Sequence, residues 1–198
     1  MTAPKEMTWQ GLSLERPQDW ALAGRGAFHP VDAGVAETRG GPGILWYTRQ
    51  QFADFTLRID WRLSAPADNS GVFVRIPLLG TEDPDNDWKP AAAQGYEIQI
   101  DDRGIDHESG AADSPLHRTG AIYERAPATG RSSAPTGEWN TFEIQASDAV
   151  ITVHLNGTRV SRIEDSDGPR MGYIGLQAHD ETSRVQFRRL QVGIPHGA

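Results

Sequence analysis

Between Phe55 and Leu63 every second residue is large and apolar: Phe55, Leu57, Ile59, Trp61 and Leu63 alternate with Thr56, Arg58, Asp60 and Arg62. A helix would scatter those five side chains around its circumference, whereas a strand puts all five on one face. The segment reads as a strand half buried in a core, with Arg58, Asp60 and Arg62 forming a solvated cross-strand charge ladder. Shorter runs of strand character recur at 44–47, 71–76, 95–101, 119–123, 139–146, 150–155, 159–163, 172–179 and 184–192, and no stretch carries a helical period over three turns. Gly 21 and Pro 13 fall largely between these runs, as in folds built from many short strands. Arg39-Gly40-Gly41-Pro42-Gly43 reads as a turn, and Asn156-Gly157 signals a type I′ hairpin, whose two central residues need positive φ. The expected architecture is all-β: a sandwich, jelly roll or barrel.

A chain of 198 residues suits one domain spanning 1–198, with its core at about 9–192. Trp9, Trp20, Trp46 and Trp61 are expected in that core, His154 on the surface, and His107 and His117 on loops without an assigned role. The formal net charge of -8 argues against a nucleic-acid partner, because phosphate recognition needs clustered Lys and Arg. No run approaches the ~20 apolar residues of a membrane span, so no membrane partner is expected either. Residues 1–7 lack the apolar core of a signal peptide. That points to the cytoplasm for the chain as written, or to export of a chain trimmed of its leader. Cys 0 removes disulfides, thiolate catalysis and cysteine metal sites. Monomer and homo-oligomer remain equally open.

Chemistry is expected on one sheet face. In the strand at 95–101, Tyr96, Ile98 and Ile100 alternate with Glu97, Gln99 and Asp101, so one face is apolar and the other carries carboxylate, amide, carboxylate. In the strand at 71–76, Val72, Val74 and Ile76 alternate with Phe73 and Arg75. Val72, Val74, Tyr96, Ile98, Ile100, Ile174, Leu176 and Ala178 are expected in the core. Arg75, Glu97, Gln99, Asp101, Gln177 and His179 then face outward and converge if their strands are neighbours. Two long polar connections, 77–94 and 102–118, exceed ordinary loop length and are expected to wall a site.

Five motifs in order carry a family resemblance. They are Asn69-Ser70-Gly71-Val72-Phe73-Val74-Arg75, Gly95-Tyr96-Glu97-Ile98-Gln99-Ile100, Thr119-Gly120-Ala121-Ile122-Tyr123, Gly137-Glu138-Trp139-Asn140-Thr141-Phe142-Glu143-Ile144 and Gly175-Leu176-Gln177-Ala178-His179. Over roughly 9–192 the chain resembles the bacterial 3-keto-disaccharide hydrolase family. The resemblance implies a concanavalin A-like jelly-roll sandwich of two antiparallel sheets, and an enzyme acting on sugars oxidised at C3. Many relatives are secreted. The connections 77–94 and 102–118 carry no family pattern and are expected to set the substrate.

A C3 ketone acidifies the C2 proton, so a base can remove it, the aglycone can leave by elimination, and water can add afterwards. Such a route needs a base, an acid at the leaving oxygen and a group stabilising the enolate. Glu97 or His179 is expected to be the base, with the other assisting the leaving group and Arg75 stabilising negative charge. Asn69, Gln99, Asp101 and Gln177 are expected to bind sugar hydroxyls, and Tyr123 or Trp139 to stack on the ring. Retaining hydrolysis needs two carboxylates ~5–5.5 Å apart. Glu97 and Asp101 lie ~13 Å apart along a strand, and Gln99 interrupts the Glu-x-Asp-x-x-Glu pattern that glucanases of this fold carry. A divalent metal polarising the ketone would fit the chemistry, with His179-Asp180, Asp101-Asp102 or His107 with Asp106 and Glu108 as donors, although no spacing matches a defined metal motif. The alternative is a non-catalytic, lectin-like carbohydrate-binding domain on the same scaffold.

Overall fold

The structure is a computed structural model and describes residues 6–196. Thirteen strands form it: β1 (Met7–Gly11), β2 (Trp20–Gly24), β3 (Ala27–Asp32), β4 (Val35–Arg39), β5 (Gly43–Tyr47), β6 (Phe55–Leu63), β7 (Ser70–Ile76), β8 (Tyr96–Ile100), β9 (Asn140–Ser147), β10 (Val150–Leu155), β11 (Thr158–Glu164), β12 (Tyr173–Ala178) and β13 (Val185–Pro195). One six-residue helix, α1 (Lys89–Gln94), lies in the connection before β8. An eight-stranded back sheet runs β11-β10-β9-β6-β13-β4-β3, with β1 on β13, and a five-stranded front sheet runs β2-β5-β12-β7-β8. All pairs are antiparallel. The fold is the all-β jelly-roll sandwich.

The alternation in β6 does what its period requires. Phe55, Leu57, Ile59, Trp61 and Leu63 are at most 2% exposed and pack against Phe142, Ile144, Val185 and Phe187 of β9 and β13. From the front sheet come Val72, Val74, Tyr96, Ile98, Ile100, Ile174 and Leu176. Each fully buried side chain of this size contributes about 1.5–3 kcal/mol. The outward residues of β6 form the ladder their types predict. Arg58 bonds Glu143 at 2.8 Å, Thr141 donates to Asp60 at 2.8 Å, Arg188 reaches Asp60 at 3.1 Å and Arg62 reaches Gln186 at 2.8 Å, each across a register pair. Trp20, Trp46 and Trp61 are buried as expected, but Trp9 is 37% exposed, on β1 with Arg58 over its ring. At the β10–β11 hairpin Asn156 and Gly157 take φ of 51° and 82°, as the type I′ turn demands.

The outer face of the front sheet divides in two. Phe73, Ile76, Ile44, Trp46 and Ala23 carry a second apolar cluster, capped by Leu79, Ala91 and Trp88 from the 77–94 connection. That connection is pinned by Arg25, whose guanidinium forks onto Asp85 at 2.7 and 2.8 Å. The apolar half is thereby closed. The remaining half, over β8, β7 and β12, is polar. Among the described residues no helix is long and apolar enough to cross a membrane.

Candidate active site

Register places the polar half in rows. Gln99 pairs with Gly71 and Glu97 with Phe73, while Gly175 pairs with Phe73 on the other side of β7. Continuing the same steps sets Gln177 beside Gly71, and Asp101 and His179 on either side of Asn69. Past β8, the segment 119–123 lies along the sheet edge as a series of turns. Gly120 N–H donates to Gln99 O, Gln99 N–H to Ala121 O and Tyr123 N–H to Glu97 O, at 2.9–3.0 Å. Tyr123 therefore sits on the outer side, level with Glu97. Only an isolated bridge, Ile98 with Ile122, forms here rather than the regular strand expected, because Gly120 at φ 87° breaks the extended run.

Glu97 leans over Gly71, where a Cβ would collide with its Oε1, so the glycine makes the room the carboxyl occupies. The Gln177 amide bonds it, and the Gln99 amide nitrogen, oriented as its acceptors require, reaches Glu97 Oε1 and Ser70 O at 3.3 Å. Burial pushes the Glu97 carboxyl up to about 8, and nearby Glu124 adds to the shift. Glu97 is then largely protonated at pH 7. Beyond β12, His179 Nδ1 lies 2.9 Å from Asp180 Oδ2. Burial works against an ionised Asp180, but hydrogen bonds from His179, Ser183 and Thr182 outweigh it and hold the carboxyl far below its usual range. A carboxylate only accepts, so Nδ1 carries the proton in this bond, and Nε2 makes no hydrogen bond among the described residues. From the carboxyl above Gly71 to His179 is one strand and one row, about 8 Å, the span of one sugar ring and its hydrogen bonds.

Tyr123 is half-buried beside Glu97, and burial together with Glu124 and Glu97 pushes its phenol up to about 12. It stays a neutral hydrogen-bond donor. His117 packs edge-on to its ring at 5.0 Å, bonds Ser114 at 2.7 Å and lies 3.6 Å from Glu124. His107, from the 102–118 connection, stacks on His179 with ring centroids 5.9 Å apart. On sequence grounds Glu124 has no role and His107 is only a candidate metal donor, since both sit in aperiodic loops whose return to the sheet only the backbone register reveals.

Three expected site residues are corrected. Arg75 is 1% exposed and turned away from the polar face. It sits at a bulge, where β7 spends three steps, Phe73 to Ile76, against two on β12. There, at φ 54°, its guanidinium donates to Asp148 O, Pro169 O and Ala53 O at 2.7–3.1 Å, tying loops of both sheets together. Asp101 is on the expected face but fully buried, accepting the N–H groups of Arg103 and Ile105, so it holds its own turn rather than a ligand. Trp139 precedes β9 on the back sheet, between the guanidinia of Arg62 and Arg188 at 4.7 and 3.8 Å. Two cation–π contacts of about 0.5–1 kcal/mol each make Trp139→Ala a stability change. Thermal melts should show a loss of a few degrees (~2–4 °C per kcal/mol), while sugar turnover at 20 °C stays unaltered.

Asn69 and Gln99, each 2% exposed, form the floor rather than the open wall. Asn69 Oδ1 and Gln177 Oε1 are buried without a hydrogen-bond donor. Such acceptors ask for hydroxyls or water. Among the described residues no group of three His, Asp or Glu gathers into a cation site. Of the carboxylates expected as donors, Asp180, Asp101, Asp102 and Asp106 are engaged by neighbouring loop groups, which leaves Glu108 alone beside His107. The residues present do not fit a resident metal, and no step below is routed through one. Other cavities lie off this face. One of about 300 Å³ is lined by Arg118 and Arg131, both already paired with Asp113.

A model of the 3-keto-alpha-glucoside-1,2-lyase-like domain matches residues 8–193. The chain belongs to that family. No curated protein matches it. Among solved structures it is similar to a Parabacteroides distasonis protein provisionally described as a glycosyl hydrolase, at 24% identity, covering 93% of this chain and 98% of that one, with a TM-score of 0.73. It is also similar to a carbohydrate-binding module of Bacillus subtilis, at 14% identity, covering 87% and 94%, TM-score 0.59. A third is a Bacillus subtilis protein of galectin-like fold, at 12% identity, covering 96% and 100%, TM-score 0.67. At these identities the likenesses establish the shared jelly-roll fold of this 3-keto-alpha-glucoside-1,2-lyase-like chain.

Proposed function

We propose that this protein is a carbohydrate-active enzyme that cleaves 3-keto-α-glycosides by elimination across C1 and C2. The observation that carries the reading is a polar face that holds two unlike groups: Glu97 over Gly71, a carboxyl that keeps its proton near neutrality, and His179, whose Nδ1 is held by Asp180. The carboxyl that holds its proton is the acid, and the imidazole oriented by a carboxylate is the base. His179 Nε2 takes the C2 proton, with Asp180 holding the ring and stabilising the imidazolium. The electron pair becomes an enolate on the C3 ketone and collapses to a C1=C2 bond. The aglycone oxygen leaves with the proton of Glu97. Gln177 orients the sugar, its unpartnered Oε1 and the Oδ1 of Asn69 supplying acceptors at the floor, and Tyr123 walls the leaving-group end. Water added to the product enone completes a net hydrolysis.

The experiment is turnover of a 3-keto-α-disaccharide by wild type and by His179→Ala. Loss of the base should lower kcat by about 10²–10⁴-fold with KM little changed. Equal rates would remove His179 from the mechanism. The likeness to a carbohydrate-binding module supports one rival, a lectin-like domain, for which the same keto sugar would bind saturably and emerge uncleaved.

A further inference from the structure

Elimination from a ketone needs a donor at O3 as the enolate forms, and the arginine expected there is buried at the other end of its strand. We propose that His107 is that donor: carried on the 102–118 connection, it would hydrogen-bond the C3 carbonyl oxygen while His179 draws off the C2 proton. This rests on the elimination reading above.

The geometry orders the groups along the sugar. Glu97 serves the oxygen on C1, His179 serves C2, and the carbonyl on C3 lies beyond C2, on the side away from Glu97. Tyr123 cannot take the role, because its backbone pairs with Glu97 and places it at the C1 end. His107 is at the other end, its ring stacked on that of His179 with 5.9 Å between centroids and 22° between planes. A base on C2–H and a donor on the oxygen of the adjacent carbon must themselves lie about 4–6 Å apart, given hydrogen-bond lengths near 2.8–3 Å. Two stacked imidazoles meet that spacing. A neutral imidazole keeps one N–H and can polarise a carbonyl without being an acid.

The loop is built to hold the ring there. Asp113 N–H donates to Arg103 O at 2.7 Å and Ser114 N–H to Gly104 O at 3.0 Å, closing the base of the segment, and Asp106 N–H bonds Ala111 O at 2.9 Å nearer its tip. Asp106 Oδ1 and Oδ2 receive the Glu108 N–H and the Ser109 hydroxyl, so the residues on both sides of His107 are fixed. His107 itself is exposed, and its replacement leaves the core untouched.

The test is His107→Phe, which keeps an aromatic ring for the stack and removes the donor, beside His107→Lys, which restores a donor without the ring. With a 3-keto-α-glucoside, His107→Phe should lose about 10²–10³-fold in kcat with KM within a few-fold, and His107→Lys should recover part of it. Unchanged kcat in His107→Phe, or equal losses in both variants, would overturn the donor role. Wild type failing to cleave the glycoside would instead strike the elimination reading, so the two failures are distinguishable.

Discussion

Glu97→Gln should lose about 10²–10⁴-fold in kcat on a 3-keto-α-glycoside with an alkyl or sugar aglycone, and it should also make the protein more stable at alkaline pH. The activity loss follows from removing the carboxyl proton that protonates the leaving oxygen; the Tyr123 phenol, raised to about 12, is too weak an acid to replace it. It should shrink with a nitrophenol aglycone, which departs without protonation. The stability gain follows from the carboxyl's position. Its ordinary value is 4.5, and burial, with Glu124 adding to it and the Gln177 hydrogen bond opposing it, raises it to about 8. Below pH 4.5 it is protonated folded or unfolded, and the site costs nothing. Between 4.5 and 8 the unfolded chain ionises freely while the folded one resists, so stability falls as pH rises through 8. At pH 9 the full shift corresponds to about 5 kcal/mol, which partial exposure of the carboxylate screens to a few kcal/mol, a penalty the neutral amide lacks. Melts of Glu97→Gln and wild type should coincide at pH 4 and diverge at pH 9 by roughly 5–10 °C. Coincidence at both pH values would mean that Glu97 is an ordinary solvated carboxylate and no general acid. This is the cost in stability that a functional group imposes on its fold.

Arg75→Ala should do the opposite: little to catalysis, much to stability. The guanidinium is 1% exposed and is the donor for three backbone carbonyls, of Ala53, Asp148 and Pro169, with Asp54 3.8 Å away. Removing a buried charged donor leaves its acceptors unpaired, at about 3–5 kcal/mol, so Tm should fall on the order of 10 °C. The folded fraction at 20 °C should retain wild-type kcat. A thermally normal but inactive Arg75→Ala protein would restore Arg75 to the active site.

Arg75 also shows where reading by alternation stops. The period-2 rule placed Val72, Val74, Tyr96, Ile98 and Ile100 in the core, where they lie, because a regular strand has two faces and the core decides between them. One extra residue in β7 breaks that count after Val74 and turns Arg75 aside, and no pattern in the sequence marks the bulge. Trp139 illustrates a second limit. Alternation gives a face but not a sheet, and Asn140 pairs with Trp61 on the back of the sandwich. The placement of Glu97, Gln99, Gln177, His179 and Tyr123 along one face was legible because each sits on or beside a regular strand. Glu124, His107 and the Asp180 hydrogen bonds were not. Loops have no period, and their residues acquire meaning only from the backbone bonds that return them to the sheet.

The most direct test of the central claim uses a 3-keto-α-glucoside deuterated at C2. The account predicts release of the aglycone together with a conjugated enone, slowed by the deuterium and abolished in His179→Ala. Aglycone released at the same rate from the protiated and deuterated sugars, with no enone, would mean that C2 is never touched and would contradict elimination by this acid–base pair.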